Sequence, residues 1–177
     1  MVTKKELRHI MMQQRDNMPA AVKGVYDSSI CARLKALILE KKAKVVHSYL
    51  PMGSEVNVFP LLTYLLDNGI TVISPKTLPA RQLENLILHS ITNLEEGKWG
   101  TKHPANTTVY TGPIDFFIVP GLAFDSECYR LGYGKGYYDT HLATQPAGYK
   151  AGVCYPYQVV EKVPIEPHDM RLNEVIY

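Results

Sequence analysis

Apolar positions recur every three or four residues at the start of this chain and later give way to short continuous apolar runs, a change of period from helices to buried strands. Residues 3–15 place Leu7, Ile10 and Met11 on one side and Lys4, Lys5 and Arg8 on the other, which predicts a short amphipathic helix. Pro19 separates it from a second helix, in which Val22, Tyr26, Ile30, Leu34 and Leu37/Ile38 recur up to the cluster Lys41, Lys42, Lys44. Those lysines complement the carbonyl end of the helix. Val45 to Leu50 then reads as a strand ended by Pro51, and Phe59 to Leu66 as a helix stopped at Asn68-Gly69. Ile70 to Ser74 predicts a second strand closed by Pro75, and Leu86 to Ile91 alternates weakly, as an edge strand or hairpin arm does. Residues 93–113 form a long connection rich in Gly, Thr, Asn and Pro, the kind more often functional than idle. Phe116 to Val119 and Ala151 to Cys154 are continuous apolar runs, expected of strands covered on both faces. Alternation of this kind predicts a single α/β domain over residues 1–177, with a mostly parallel sheet layered between helices. Ligands of such sheets sit at the carboxyl ends of the strands, and Pro120 to Asp139 directly follows one.

Composition narrows the function. Hydrophobic residues make up 46% and charged residues 20%, near the globular average, so neither disorder nor a fibrous repeat is indicated. A net charge of only +2 gives no broad basic face for nucleic acid, and any anion binding must be local. The apolar runs are far below a membrane span, and Met1 to Glu6 leads into a helical pattern instead of an apolar signal segment. A cytoplasmic protein without membrane partners is therefore expected. Cys31, Cys128 and Cys154 are widely spaced, which argues against a disulfide framework or a zinc site, and the six histidines show no ligand spacing.

The candidate chemistry is concentrated in Arg130-Leu131-Gly132-Tyr133-Gly134-Lys135-Gly136-Tyr137-Tyr138-Asp139. Three alternating glycines permit positive φ and let successive backbone N–H groups converge on an anion. Arg130 offers a bidentate fork to phosphate oxygens and Lys135 a point charge. Asp139 falls where a helix over Tyr137 to Leu142 begins, within reach of a metal bound to the same phosphates. The plainer alternative is a glycine-rich turn flanked by solvated charges. Neither the Walker A loop nor the dinucleotide G-x-G-x-x-G is present, so the common nucleotide folds are not signalled.

Asp115 to Asp125 followed by Arg130 to Asp139 closely resembles the signature of the 5-formyltetrahydrofolate cyclo-ligase family, also called methenyltetrahydrofolate synthetase. Agreement extends to Lys4-Lys-Glu-Leu-Arg8, Leu50-Pro-Met-Gly-Ser-Glu55, Pro75-Lys76, Trp99-Gly100 and Pro164 to Asp169, in order and over nearly the whole chain. The resemblance implies ATP-dependent cyclisation of 5-formyltetrahydrofolate to 5,10-methenyltetrahydrofolate, with Mg2+. It further implies that Lys4, Lys5, Glu6, Leu7, Arg8 and Arg130 to Tyr138 bind ATP, with Arg130 and Lys135 neutralising the transferred phosphoryl group. Asp139 and Asp169 match the magnesium-binding carboxylates. Leu50 and Glu55 match folate-binding positions, Trp99 resembles an aromatic near the pterin, and Tyr133 to Tyr137 border the same substrate.

As bare sequence, Asp169 is equally a surface turn residue, Glu55 a solvated loop charge and Trp99 a partly buried core aromatic. Tyr133 departs from the family pattern, standing where relatives often carry arginine, histidine or glycine, and so does Glu127-Cys128-Tyr129 before Arg130. The alternative function is a nucleotide- or folate-binding protein of the same fold without turnover. Together Arg130, Lys135, Asp139 and Asp169 favour the enzyme, because a pure binder does not need both charge neutralisation and a metal pair. The sequence leaves the oligomeric state open.

Overall fold

A capping box starts the first helix: Thr3 Oγ1 accepts the Glu6 N–H at 3.2 Å, and the Glu6 carboxylate accepts the Thr3 N–H at 2.8 Å. The computed structural model describes residues 2–177, and Met1 lies outside them. The chain runs through α1 (Lys4–Asp16), α2 (Ala20–Glu40), β1 (Val45–Ser48), α3 (Phe59–Asp67), β2 (Thr71–Thr77) and β3 (Leu83–Leu88). It continues with β4 (Leu94–Glu96), β5 (Lys102–Pro104), β6 (Phe116–Pro120), β7 (Ala123–Phe124), β8 (Arg130–Leu131), α4 (Tyr137–Ala143), β9 (Tyr149–Val153) and β10 (Glu174–Ile176). No helix is long and apolar enough to cross a membrane among the described residues.

Six strands form one sheet in the order β10-β9-β6-β1-β2-β3, parallel except for β3, which returns antiparallel along β2. All five residues of β6 are buried, and alternation divides them between two layers. Phe116 and Ile118 join Ile30, Leu34 and Ile38 of α2 and Leu61, Leu62 and Leu65 of α3 on one face. Phe117 and Val119 join Leu142 of α4 and Phe124 on the other. The expected α/β sheet between helices is thus the observed architecture. A third cluster docks Leu7 and Met11 of α1 onto Leu122, Ala123 and Leu131, fixing α1 against the β7–β8 hairpin.

Several elements differ from expectation. Strand β2 does not stop at Pro75 but runs to Thr77, with Pro75 opposite Asn85 of β3. Strand β1 pairs only with Thr71 to Ile73, so beyond that point β2 has β3 as its strand partner and tolerates a proline. The edge strand is Leu83–Leu88 instead of Leu86 to Ile91. The long connection 93–113 contains the small antiparallel pair β4–β5 around a single 3-10 turn at Lys98–Gly100. Ile10 and Val22, expected on apolar faces, are exposed. In α1 the buried stripe continues instead through Met11 to Arg15.

Candidate active site

A cleft of about 530 Å3 opens at the carboxyl ends of β1, β2 and β6, walled by the glycine loop, α1, the β2–β3 hairpin and the segment Glu166 to Asp169. Lys4, Arg8, Leu50, Glu55, Trp99, Arg130 to Asp139 and Asp169 all line it, although they come from five separated stretches of chain. Three predicted positions do not. Leu7 is buried in the core beneath α1, Glu6 is engaged in the capping box, and Lys5 is exposed outside the cleft. Helical periodicity is the reason: of five consecutive residues, only Lys4 and Arg8 share the face turned to the cleft.

One end of the cleft is built for an anion. Gly134 and Gly136 adopt φ of +91° and +72°, the left-handed region that favours glycine, so the loop narrows between β8 and α4. Arg130 leaves β8 with its side chain only 4% exposed, and its Nη2 lies 2.9 Å from Asp139 Oδ1. That contact is off the hydrogen-bonding direction, so Nε and Nη2 of Arg130 have no hydrogen-bond partner among the described residues. A buried guanidinium with unmet donors calls for an acceptor-rich ligand. Arg8 crosses from α1 and donates Nε–H to the Gly132 carbonyl at 2.9 Å, laying its guanidinium against Gly134. Lys135 is exposed and holds its ammonium 3.4 Å from the Trp99 ring centre. Trp99, at φ +56°, meets Tyr137 edge-on at 5.8 Å, so the β4–β5 connection carries its aromatic onto the glycine loop.

Beside this end stand the two predicted metal carboxylates. Lys4 Nζ donates to Asp169 Oδ2 at 2.8 Å and to Glu166 Oε2 at 2.9 Å. Burial pushes the Asp169 carboxyl up, but the hydrogen bonds from Lys4 and the Glu166 N–H outweigh it and hold the group below its ordinary value. The Met170 N–H donates to Asp139 Oδ1 at 3.2 Å, so the backbone next to Asp169 is docked on Asp139. Asp139 Oδ2 and Asp169 Oδ1 carry no hydrogen bond among the described residues. Hard carboxylate oxygens left free along one wall fit a magnesium ion. Glu166 and His168 offer ligand atoms within 4.8 Å of that of Asp169, a grouping that the sequence reading did not assign.

The other end is a buried carboxylate already engaged. Glu55 is 5% exposed; its Oε1 accepts the Tyr133 hydroxyl at 2.6 Å and its Oε2 the Met52 N–H at 2.9 Å. Burial raises its pKa above the ordinary glutamate value, although Tyr133, Met52 and the nearby Arg15 charge pull it back part of the way. Arg15 is itself buried, donating Nε–H to Ser54 Oγ at 2.9 Å and Nη2–H to the Tyr133 oxygen at 2.8 Å. The relay Arg15, Tyr133, Glu55 ties α1, the glycine loop and the loop after β1 together. Sequence reasoning missed Arg15. Its signal was present, because it follows Leu7 and Met11 at four-residue spacing.

The model of the 5-formyltetrahydrofolate cyclo-ligase family matches residues 1–177. The 5-formyltetrahydrofolate cyclo-ligase of Mycoplasma genitalium is 30% identical over 99% of this chain and 98% of its own. The mouse enzyme of that name is 28% identical over 77% of this chain and 74% of its own. The solution structure of Aquifex aeolicus 5,10-methenyltetrahydrofolate synthetase superposes with a TM-score of 0.85 at 33% identity, covering 99% of this chain and 89% of that one. A cleft at the strand ends with a glycine loop at one end and a buried glutamate at the other thus accompanies a match along the full length, and the chain belongs to the 5-formyltetrahydrofolate cyclo-ligase family.

Proposed function

We propose that this chain catalyses the ATP-dependent cyclisation of 5-formyltetrahydrofolate to 5,10-methenyltetrahydrofolate, releasing ADP and phosphate. A formamide carbon is a poor electrophile and its oxygen a poor leaving group. Transfer of the terminal phosphoryl group of ATP to that oxygen corrects both faults. N10 of the folate then attacks the formyl carbon, a C–N bond forms, the C–O bond breaks, and phosphate departs while N10 loses its proton. The protein's work is positioning and charge stabilisation.

The observation that carries this reading is Arg130: a buried guanidinium beside the glycine loop, ion-paired with Asp139 but with Nε and Nη2 that no described residue hydrogen-bonds. Phosphate oxygens answer those donors, with Lys135 adding charge as the phosphoryl group moves. Lys4, Arg8 and the glycine-loop backbone hold the nucleotide. Glu55 receives the amino and ring N–H donors of the pterin, with Leu50 and Trp99 supplying apolar walls and Tyr133 to Tyr137 bordering both substrates. Asp139 and Asp169 would hold magnesium, which when bound neutralises phosphate charge.

Incubation of the purified protein with 5-formyltetrahydrofolate and MgATP tests the proposal. The near-ultraviolet absorbance of the methenyl product is expected to rise only when both substrates are present, with one ADP formed per product. ATP turnover independent of the folate, or no product at all, would overturn it.

A further inference from the structure

Each of the three loop glycines is faced by an arginine from a different part of the chain. A Cβ at Gly132 would lie 3.1 Å from Nη1 of Arg130, and one at Gly134 would lie 3.0 Å from Cζ of Arg8. At Gly136 it would lie 3.5 Å from Cδ and 3.6 Å from Nη1 of Arg81. Arg130 and Arg8 belong to the cradle already described. Arg81 belongs to the tip of the β2–β3 hairpin and lines the same cleft.

Two features distinguish Arg81. Its guanidinium makes no hydrogen bond or ion pair among the described residues, whereas Arg130 is paired with Asp139 and Arg8 is tied to the Gly132 carbonyl. Its backbone also adopts φ +59°, directly after Ala80 at φ +56°, so two non-glycine residues occupy the left-handed region at the hairpin tip. This is a type I′ hairpin turn, closed by the Gln82 N–H on the Pro79 carbonyl at 3.3 Å, and it sets the direction in which Arg81 leaves the tip. The tip is docked as well: the Tyr137 hydroxyl donates to the Leu78 carbonyl at 2.9 Å, joining the hairpin to the residue after Gly136.

We infer that Arg81 is a third phosphate-contacting arginine, delivered by the β2–β3 hairpin to the terminal phosphoryl group of ATP. This rests on the proposed reaction. Gly136 follows Lys135, which the proposed function puts at the transferred group, so a cation over Gly136 is directed to the terminal phosphate instead of the adenosine side. No hydrogen bond or ion pair of Arg81 among the described residues has to be broken for it to turn there, and its planar fork matches two phosphate oxygens.

Arg81→Gly tests the assignment, because glycine relieves the positive φ while removing the charge. Its melting temperature is expected at or above wild type, with kcat down about a hundredfold and the KM for folate near wild type. Millimolar guanidinium ion is expected to restore part of the turnover. Calorimetric titration adds a readout without turnover: the affinity of a non-hydrolysable ATP analogue falls about tenfold while that of ADP is unchanged. If wild type makes no methenyl product, the proposed reaction fails, and the two titrations still decide the phosphate contact. Unchanged kcat with unchanged analogue affinity overturns the inference. A defect confined to folate KM, and absent with a folate lacking its glutamate tail, would reassign Arg81 to the tail carboxylates and equally overturn it.

Discussion

The two ends of the cleft differ in what they leave unsatisfied. At the glycine loop Arg130 is buried with Nε and Nη2 lacking hydrogen-bond partners, and Arg81 is without an ion pair among the described residues. At the Glu55 end both carboxylate oxygens accept hydrogen bonds, from Tyr133 and from Met52. An anion arriving at the first end meets donors already waiting. A pterin arriving at the second must replace a contact the protein makes with itself. On the proposed assignment the phosphate end is preorganised and the pterin end is latched, and the residue forming the latch, Tyr133, lies in the glycine loop. Under that assignment each substrate acts on a segment that the other touches.

Breaking the phosphate end is expected to give the largest effect. Lys135→Ala removes the charge proposed to meet negative charge developing during transfer, and loss of one such group costs about 10²–10³ in rate. Steady-state kinetics is expected to show the loss in kcat, with folate affinity near wild type. A variant with wild-type kcat and weakened affinity alone would show that Lys135 binds the ground state only.

Glu55→Gln breaks the other end. A carboxylate facing two pterin donors loses a charge-assisted pair worth roughly 1.5–3 kcal/mol, about tenfold to a hundredfold in folate affinity. ATP affinity measured without folate is expected to stay near wild type; an equal loss for both ligands would make Glu55 structural. The pH dependence carries its own sign. Burial raises the Glu55 pKa in the free protein, and pterin donors favour the ionised form, so folate affinity is full above that raised value and falls as pH drops through it. Glu55→Gln is expected to flatten this acid limb.

The carboxylates proposed to hold magnesium are expected to matter less steeply. Asp139→Asn and Asp169→Asn each replace a hard anionic ligand with a neutral amide, raising the magnesium concentration for half-maximal activity by about tenfold. Unchanged magnesium dependence in both would place the metal elsewhere. The first substitution also weakens the partner of Arg130, so its kcat is expected to fall further than that of Asp169→Asn.

Much of the phosphate end was legible in the chain because it is local. Arg130, Lys135, Asp139 and the three glycines lie within ten consecutive residues, and the apolar runs located β1, β6 and β9 within a residue or two. The pterin end was legible only in part. Glu55 was named, but its burial and its bond to Tyr133 join positions 78 residues apart, which no local period encodes. Strand β10 was missed because three residues, Glu174–Ile176, carry too short a pattern, and it is recruited by pairing with β9. Arg81 went unassigned because no motif marks it, and only folding of the hairpin brings it to Gly136.

Tyr133→Phe gives the smallest change and the sharpest view of the latch. In the free protein the phenol donates to Glu55 at 2.6 Å and accepts from Arg15 at 2.8 Å. Burial and Glu55 push its pKa well above the ordinary phenol value, so it remains a donor throughout the working pH range. Phenylalanine deletes the self-contact while keeping the ring, and Arg15 retains Ser54 as a partner. If the pterin displaces the hydroxyl, only the free state loses a hydrogen bond, and folate affinity rises by roughly 1 kcal/mol, about fivefold. If the hydroxyl instead stays on Glu55 in the complex and helps to hold the carboxylate, affinity falls. Calorimetric titration of folate separates the two by sign, and the rise is the expected result, because Glu55 lies at 5% exposure with both oxygens already engaged.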